Sequence, residues 1–375
     1  MKNEQPLEGK ILTPTFLICG LLFLISLIFM AKRFMYGLGA VTNMNDGYPW
    51  GIWIAFDVVI GTALGCGGYA MALLVYVFNK GDYHSLIRPA LMTSLFGYTL
   101  AGVAVVLDVG RYWQLYNIFL PWYMNSSSVL LEVALCVGAY VVVLWIEFSP
   151  TFLTKFGADN AKAFMNKIMF IFIALGILLP TMHQSSLGTV MVIAGSKLSP
   201  LWWTPLLPVI FLISCIFLGY AIVVVESSIT GSQYRIHDES HLLGKVSAVM
   251  AWLIAIYLVI RFVDLGMRGH LDLAFKGDLL GNMFLLENLL LLVPMALLFV
   301  PANRKNARVM FFCAVSIVFA AAILRFNSYI IGFNPGNGWH YFPSAGEIFI
   351  SLGIVSLEIM AFLYFIKRLP IYRRS

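Results

Sequence analysis

The 375-residue sequence has little charge. Asp, Glu, Lys and Arg make up 11% of it, against about 25% in ordinary soluble chains. Too little polar surface is available to clothe a water-soluble fold of this length, which excludes a soluble enzyme carrying a membrane tail. Cysteine is equally sparse. Cys19, Cys66, Cys136, Cys215 and Cys313 each sit in a separate apolar run, and without a CxxC spacing an iron–sulfur or structural zinc site has no support. No GxGxxG follows a strand and no Walker motif occurs, so nucleotide binding is not expected. The six histidines, His84, His183, His237, His241, His270 and His340, read as loop or span-end residues. No pair is expected on facing helices to clamp a haem. No redox centre of its own is therefore evident, and no metal or bound cofactor is expected. The first apolar run is also too long for the core of a cleavable signal peptide and lacks a cleavage site.

Apolar length is what the chain does have: 61% of residues are hydrophobic and the mean hydropathy is +0.88. At about 20 residues per crossing there is room for roughly eleven spans. Runs of this kind, with no alternation, exclude a transmembrane β-barrel. The expected fold is all-α, a polytopic transmembrane bundle forming one integral membrane domain over residues 1–375. Ten spans are predicted at 14–36, 51–78, 86–110, 128–148, 164–182, 205–226, 245–263, 281–300, 308–331 and 347–366. An even number places both termini on one side. About two thirds of the 24 Lys and Arg residues fall on that side, so the positive-inside bias predicts cytoplasmic termini. The same bias explains the net charge of +6 without a nucleic-acid partner.

The opposite face carries longer connections rich in aromatics, Gly and Pro, at Gly37–Trp50, Arg111–Ser127, Ser185–Pro205 and Gly332–Gly346. They read either as an interfacial aromatic belt or as a docking floor for another protein.

Ionisable groups inside spans are costly and serve as functional hypotheses. Asp57, Asp108, Glu132, His183, Arg261, Asp264, Glu287 and Arg325 fall in the outer half, with Arg111 at its edge. Glu358 lies near mid-depth, and Glu147 and Glu226 lie toward the cytoplasmic ends of their helices. In "LDVGRYW", Asp108 and Arg111 are three apart on one helix face: a local ion pair, or part of a site. Glu132 faces Leu, Val and Ala, a partly desolvated setting suited to handing on protons, or else to a helix-packing acid. Glu226 reads as a proton entrance or as a wetted helix end. In "LLPTMHQSSLGT", Pro180 is expected to kink the end of the fifth span. His183, Gln184, Ser185 and Ser186 would then line its outer mouth, where they suit a small carbonyl head group or merely satisfy backbone freed by the proline. The glycines of "GTALGCGGYAMA" fit close helix packing.

"GYPWGIWIAFDVVIGTALGCGGYA", "RPALMTSLFGYTLAGVAVVLDVGRYW", "LLPTMHQSSLGT" and "FNPGNGWHYFP" occur in that order and resemble the NrfD/polysulfide-reductase membrane-subunit family. The last two resemble its hydrogenase branch in particular, the membrane subunits of hydrogenase-2 type [NiFe] hydrogenases. The resemblance spans about Pro6 to Pro370 and implies a cofactor-free, quinone-reactive subunit of the bacterial inner membrane with its quinone pocket toward the periplasm. A ferredoxin-like iron–sulfur subunit would dock there and bring electrons from the large and small [NiFe] hydrogenase subunits to menaquinone or ubiquinone. The family's proton-moving acids map onto Glu132 and Glu226, with Tyr98, Asp108 and Arg111 nearby in the matching motif and expected as quinone contacts. Depth and chemistry add Asp57, His183, Gln184 and Arg325 as expected quinone contacts and Glu358 as an expected proton carrier. Two rival readings are a secondary transporter and a structural anchor; a subunit of another respiratory oxidoreductase is a third.

Overall fold

The computed structural model describes residues 4–7, 9–234 and 239–373. His237, Lys2, Arg235 and Arg374 lie outside them. Among the described residues, ten helices are long and apolar enough to span a membrane. They are α1 (Pro14–Tyr36), α2 (Trp53–Val77), α3 (His84–Asp108), α4 (Val129–Lys155), α5 (Asp159–Ile193), α6 (Leu207–Gln233), α7 (Ser240–Met267), α8 (Leu279–Phe299), α9 (Ala307–Ile331) and α10 (Ala345–Ile366). Local chemistry starts several of them. Thr13 caps α1 ahead of Pro14, Ser128 caps α4, Asp278 caps α8 and Asn306 caps α9. Each hydroxyl, carboxylate or amide oxygen takes a first-turn N–H that would otherwise lack a partner. At α10, Ser344 and Glu347 form a reciprocal capping box.

The bundle is layered by burial. On α1, Leu17, Leu21, Leu24 and Ile28 are exposed at a spacing of one helix face, the stripe a helix turns toward lipid. α2 lies deepest, and its backbone is irregular. Residues Trp53–Ile60 and Leu73–Val77 wind as π-helix, and the helix is interrupted between Leu64 and Gly67. Such backbone is tolerated at membrane depth only when packed inside protein. α6 supplies that packing at Gly219, where an added β-carbon would lie 2.5 Å from the Cys66 carbonyl oxygen. α9 likewise ends in π turns at Asn327–Ile331.

The fifth span corrects the expectation for Pro180. The helix does not end near 182 but runs 35 residues to Ile193. Hydroxyls along this stretch fold back onto carbonyls one turn earlier, Thr181 onto Ile177 and Ser185 onto Thr181, so the polar run stays helical. His183 and Gln184 are therefore interior residues rather than the lining of an outer mouth, and both are fully buried.

The chain ends meet. Strand β1 (Glu4–Gln5) pairs antiparallel with β2 (Tyr372–Arg373), the Lys367 ammonium donates to the Lys10 carbonyl, and Leu7 N–H donates to the Ile366 carbonyl at 2.9 Å. This face is the terminal side below; the other is the loop side.

Candidate functional site

Four of the expected quinone contacts come together from three helices. The Tyr98 hydroxyl of α3 is 2.8 Å from His183 Nε2 of α5, whose Nδ1 lies 2.8 Å from the Leu179 carbonyl. Gln184 Nε2 donates to the Tyr98 hydroxyl at 3.4 Å and to Thr62 Oγ1 at 3.2 Å. Its Oε1 accepts from Arg325 Nη2 of α9 at 3.4 Å. Tyr140 of α4 packs edge-on against Tyr98, ring centroids 4.6 Å apart.

Arg325 is fully buried. Its other contacts are the Ala321 and Phe211 carbonyls at 3.2 and 3.4 Å and the face of the Phe211 ring. Its Nε has no hydrogen-bond partner, and among the described residues no carboxylate pairs with it. A buried cation in this state carries a desolvation cost of several kcal/mol that its hydrogen bonds offset only in part and no counter-ion offsets.

A second buried arginine is treated differently. Arg261 of α7 lies 3.9 Å from Glu287 of α8 and over the Phe284 ring. Glu287 also accepts from Trp202 Nε1 at 2.8 Å, Asn327 Nδ2 at 3.0 Å and the Tyr257 hydroxyl at 3.4 Å.

The acids form a line beside α10. Asp57 of α2 accepts from the Ser351 hydroxyl at 2.6 Å, while its Oδ1 has no partner. Glu358 and Glu226 line one cavity of about 400 Å³, open among Thr13, Thr93 and Gln233 on the terminal side. Glu226 accepts from Thr93 at 2.7 Å and from the Tyr372 hydroxyl at 3.0 Å. Burial and the adjacent Glu226 carboxyl hold the Tyr372 phenol well above its ordinary pKa, so it remains a donor. Glu132, on the other flank of the bundle, accepts from Ser186 at 2.8 Å.

Asp108 and Arg111 do not pair. α3 ends at Asp108, and Arg111 lies exposed in the following loop. The cation at this helix end is Arg33 of α1, donating to the Leu107 and Val109 carbonyls at 2.7 and 2.6 Å. The backbone becomes extended at Val109, so three-residue spacing no longer places the two charges on one face. Neither residue joins the His183 cluster. Asp264, grouped with the outer charges in the sequence, pairs locally with Arg268 at 2.8 Å.

Sequence reasoning missed Glu347, which is nearly fully buried. It accepts from the Tyr341 hydroxyl at 2.6 Å and from the Asn43 backbone N–H at 2.9 Å. Burial and this carboxylate together hold the Tyr341 phenol well above its ordinary pKa. The signal was present: Ser344 three residues before Glu347 is a capping-box spacing. It also missed Thr62, Tyr140 and Ser351, which no linear motif marks. Another correction concerns His183, which is neither in a loop nor at a span end.

On the loop side, two short 3₁₀ segments (Tyr112–Phe119 and Pro121–Tyr123) hold Trp113, Tyr116, Phe119, Trp122 and Tyr123 exposed. Beside Lys197, Trp339 and His340 lies a cavity of about 670 Å³.

The polysulphide reductase NrfD family model matches residues 40–333. The chain is 44% identical, over 98% of its length and 95% of the relative's, to the probable Ni/Fe-hydrogenase 2 b-type cytochrome subunit of Escherichia coli K12. It is 29% identical, over 90% and 86%, to the menaquinone reductase integral membrane subunit of Nitratidesulfovibrio vulgaris Hildenborough. With its ten spans, the chain belongs to the NrfD family of polysulphide-reductase-type membrane subunits.

Proposed function

We propose that this chain is the quinone-reactive membrane subunit of a periplasmic [NiFe] hydrogenase complex in the bacterial inner membrane. The observation that carries the reading is Arg325, buried without a counter-ion and bonded to Gln184 beside Tyr98 and His183. A fixed cation next to neutral donors is arranged for negative charge that arrives during a reaction. A quinone carbonyl gains that charge as electrons reach it, and the Tyr98 hydroxyl and Gln184 amide are the donors that would meet its oxygen. The membrane subunit of a menaquinone reductase among the relatives supports this substrate class.

The hydrogenase relative is called a b-type cytochrome subunit. The residues here do not fit a bis-histidine haem. His183 is the one described histidine inside a span away from its ends, and both its ring nitrogens are engaged, one by Tyr98 and one by Leu179. No step is assigned to haem. Electrons come instead from an iron–sulfur subunit docked on the exposed aromatics of the loop side, and the charge bias supports a periplasmic position for that side. The two protons for quinol formation come from the acids. Glu226 and Glu358 share the cavity on the terminal side, Asp57 continues their line, and Glu132 stands beside Ser186 on the opposite flank. Asp108 and Arg111, at the loop-side end of α3, are placed to meet the docked subunit or the quinone's approach.

The test is hydrogen-driven reduction of a quinone analogue by the complex purified from membranes. Activity requiring this chain, co-eluting with iron–sulfur and [NiFe] subunits and abolished in Glu132→Gln with assembly intact, is expected. A chain that purifies alone and moves a solute in liposomes would overturn the reading.

A further inference from the structure

Glu147 has no part in the site described above. It stands on α4 with its carboxylate against the α5 backbone at Gly176, where an added β-carbon would lie 2.7 Å from Oε1. No hydrogen bond reaches it among the described residues. An unpartnered acid inside a span is costly unless water reaches it.

Water has a route. A cavity of about 580 Å³ lies between α2, α3, α4 and α5, lined by Tyr76, His84, Arg88, Asn166 and Glu147 among others. Its lining starts at the terminal-side ends of these helices and runs from His84 to Leu91 on α3 and from Asn166 to Ile173 on α5. Seven helical residues rise about 10 Å. Gly176 is three residues beyond Ile173, so Glu147 sits at the inner end. The space holds on the order of ten waters or more. A carboxylate at the inner end disfavours a lipid phosphate there.

The seam above Glu147 is also polar. Tyr140 precedes Glu147 by seven residues on α4, and His183 follows Gly176 by seven on α5. Two turns on antiparallel helices keep register, so Glu147 opposes Gly176 as Tyr140 opposes His183, whose ring centroids are 6.2 Å apart. Further toward the loop side the same seam holds Ser186 and Glu132.

We propose that this cavity is a water-filled half-channel exchanging protons between the terminal-side aqueous phase and Glu147, and that the α4–α5 seam passes them toward Tyr140 and His183. It is separate from the Glu226–Glu358 cavity. A hydronium in the cavity gives its proton to the Glu147 carboxylate, and the neutral acid then returns to carboxylate by protonating water in the seam. The half-channel stands on its own geometry. Delivery to His183 rests on the quinone reading.

The experiment uses the full-length chain in oriented vesicles, with Ile87→Cys and Met169→Cys introduced separately at the cavity lining. The five native cysteines are buried, and Leu21→Cys on the lipid face of α1 serves as control. A charged, membrane-impermeant thiol reagent is expected to modify both cavity variants from the terminal side only, and the control from neither. The infrared signal of a protonated carboxyl that disappears in Glu147→Gln is expected to follow pH on that side. Modification by an apolar reagent alone, or a carboxyl signal indifferent to terminal-side pH, overturns the half-channel whether or not the chain reduces quinone. In the assembled complex, Glu147→Gln is expected to slow quinone reduction at least tenfold, with Glu147→Asp partly restoring it. Unchanged turnover in Glu147→Gln, when the cysteine variants are modified and the unsubstituted chain shows the pH response, overturns the seam delivery alone. An inactive wild-type complex counts against the quinone reading and leaves the half-channel standing.

Discussion

Arg261 and Arg325 are both buried, and both lie beneath the rim of the loop side. Arg261 has Glu287, itself held by Trp202, Asn327 and Tyr257. Arg325 has carbonyls, one glutamine and an aromatic face. The first cation has a carboxylate counter-ion 3.9 Å away, although its guanidinium nitrogens make no hydrogen bond. The second has hydrogen-bond acceptors but no carboxylate counter-ion among the described residues. The contrast separates an ion pair joining α7 to α8 from a cation that, on the proposed quinone reading, is kept open for chemistry.

Removing the carboxylate of the ion pair should have the largest effect. Glu287→Leu strands Arg261 in a dry interior, a change of about 3–5 kcal/mol in stability, read as a large fall in the thermal unfolding temperature of the detergent-solubilised complex. Adding Arg261→Met should recover most of it, since an apolar pair is often no worse than a buried ion pair. A double variant as unstable as the single one would break the comparison.

Arg325→Met should do the reverse, leaving stability equal or higher while lowering quinone reduction by about 10²–10³-fold, the range for loss of one preorganised charge-stabilising group. Unfolding temperature and turnover measured on the same preparation decide it; a variant that loses stability and keeps turnover per folded complex makes Arg325 structural. The smallest effect sharpens the picture. Tyr98→Phe removes one hydroxyl that bonds both His183 and Gln184, and turnover should fall about tenfold, the equivalent of about 1.4 kcal/mol. Unaltered turnover would take Tyr98 out of the site.

The spans were legible because hydropathy is a local property: α1 was expected at 14–36 and occupies Pro14–Tyr36. α5 was misjudged because a proline inside a buried helix is tolerated when neighbours and hydroxyls satisfy the backbone. The residues of the site were legible one at a time, as polar groups in apolar runs, and their grouping was not. Tyr98, His183 and Arg325 belong to α3, α5 and α9, and only packing brings them within reach. Arg111 shows the converse, since helical spacing means nothing once the helix has stopped. Glu347 lay within reach of sequence reasoning but was hidden by its position at the edge of an aromatic loop.

The pairing of β1 with β2 joins residues 4–5 to residues 372–373, and α1 packs along α10. During biosynthesis residues 4–5 thus have no partner until residues 372–373 have been made. The early helices must wait in the bilayer with α1 unclosed. The same late event brings Tyr372 to Glu226, so a nascent or C-terminally truncated chain lacks that hydroxyl over its terminal-side acid. The hydrogen bond that closes over Glu226 therefore forms only after Tyr372 has been made.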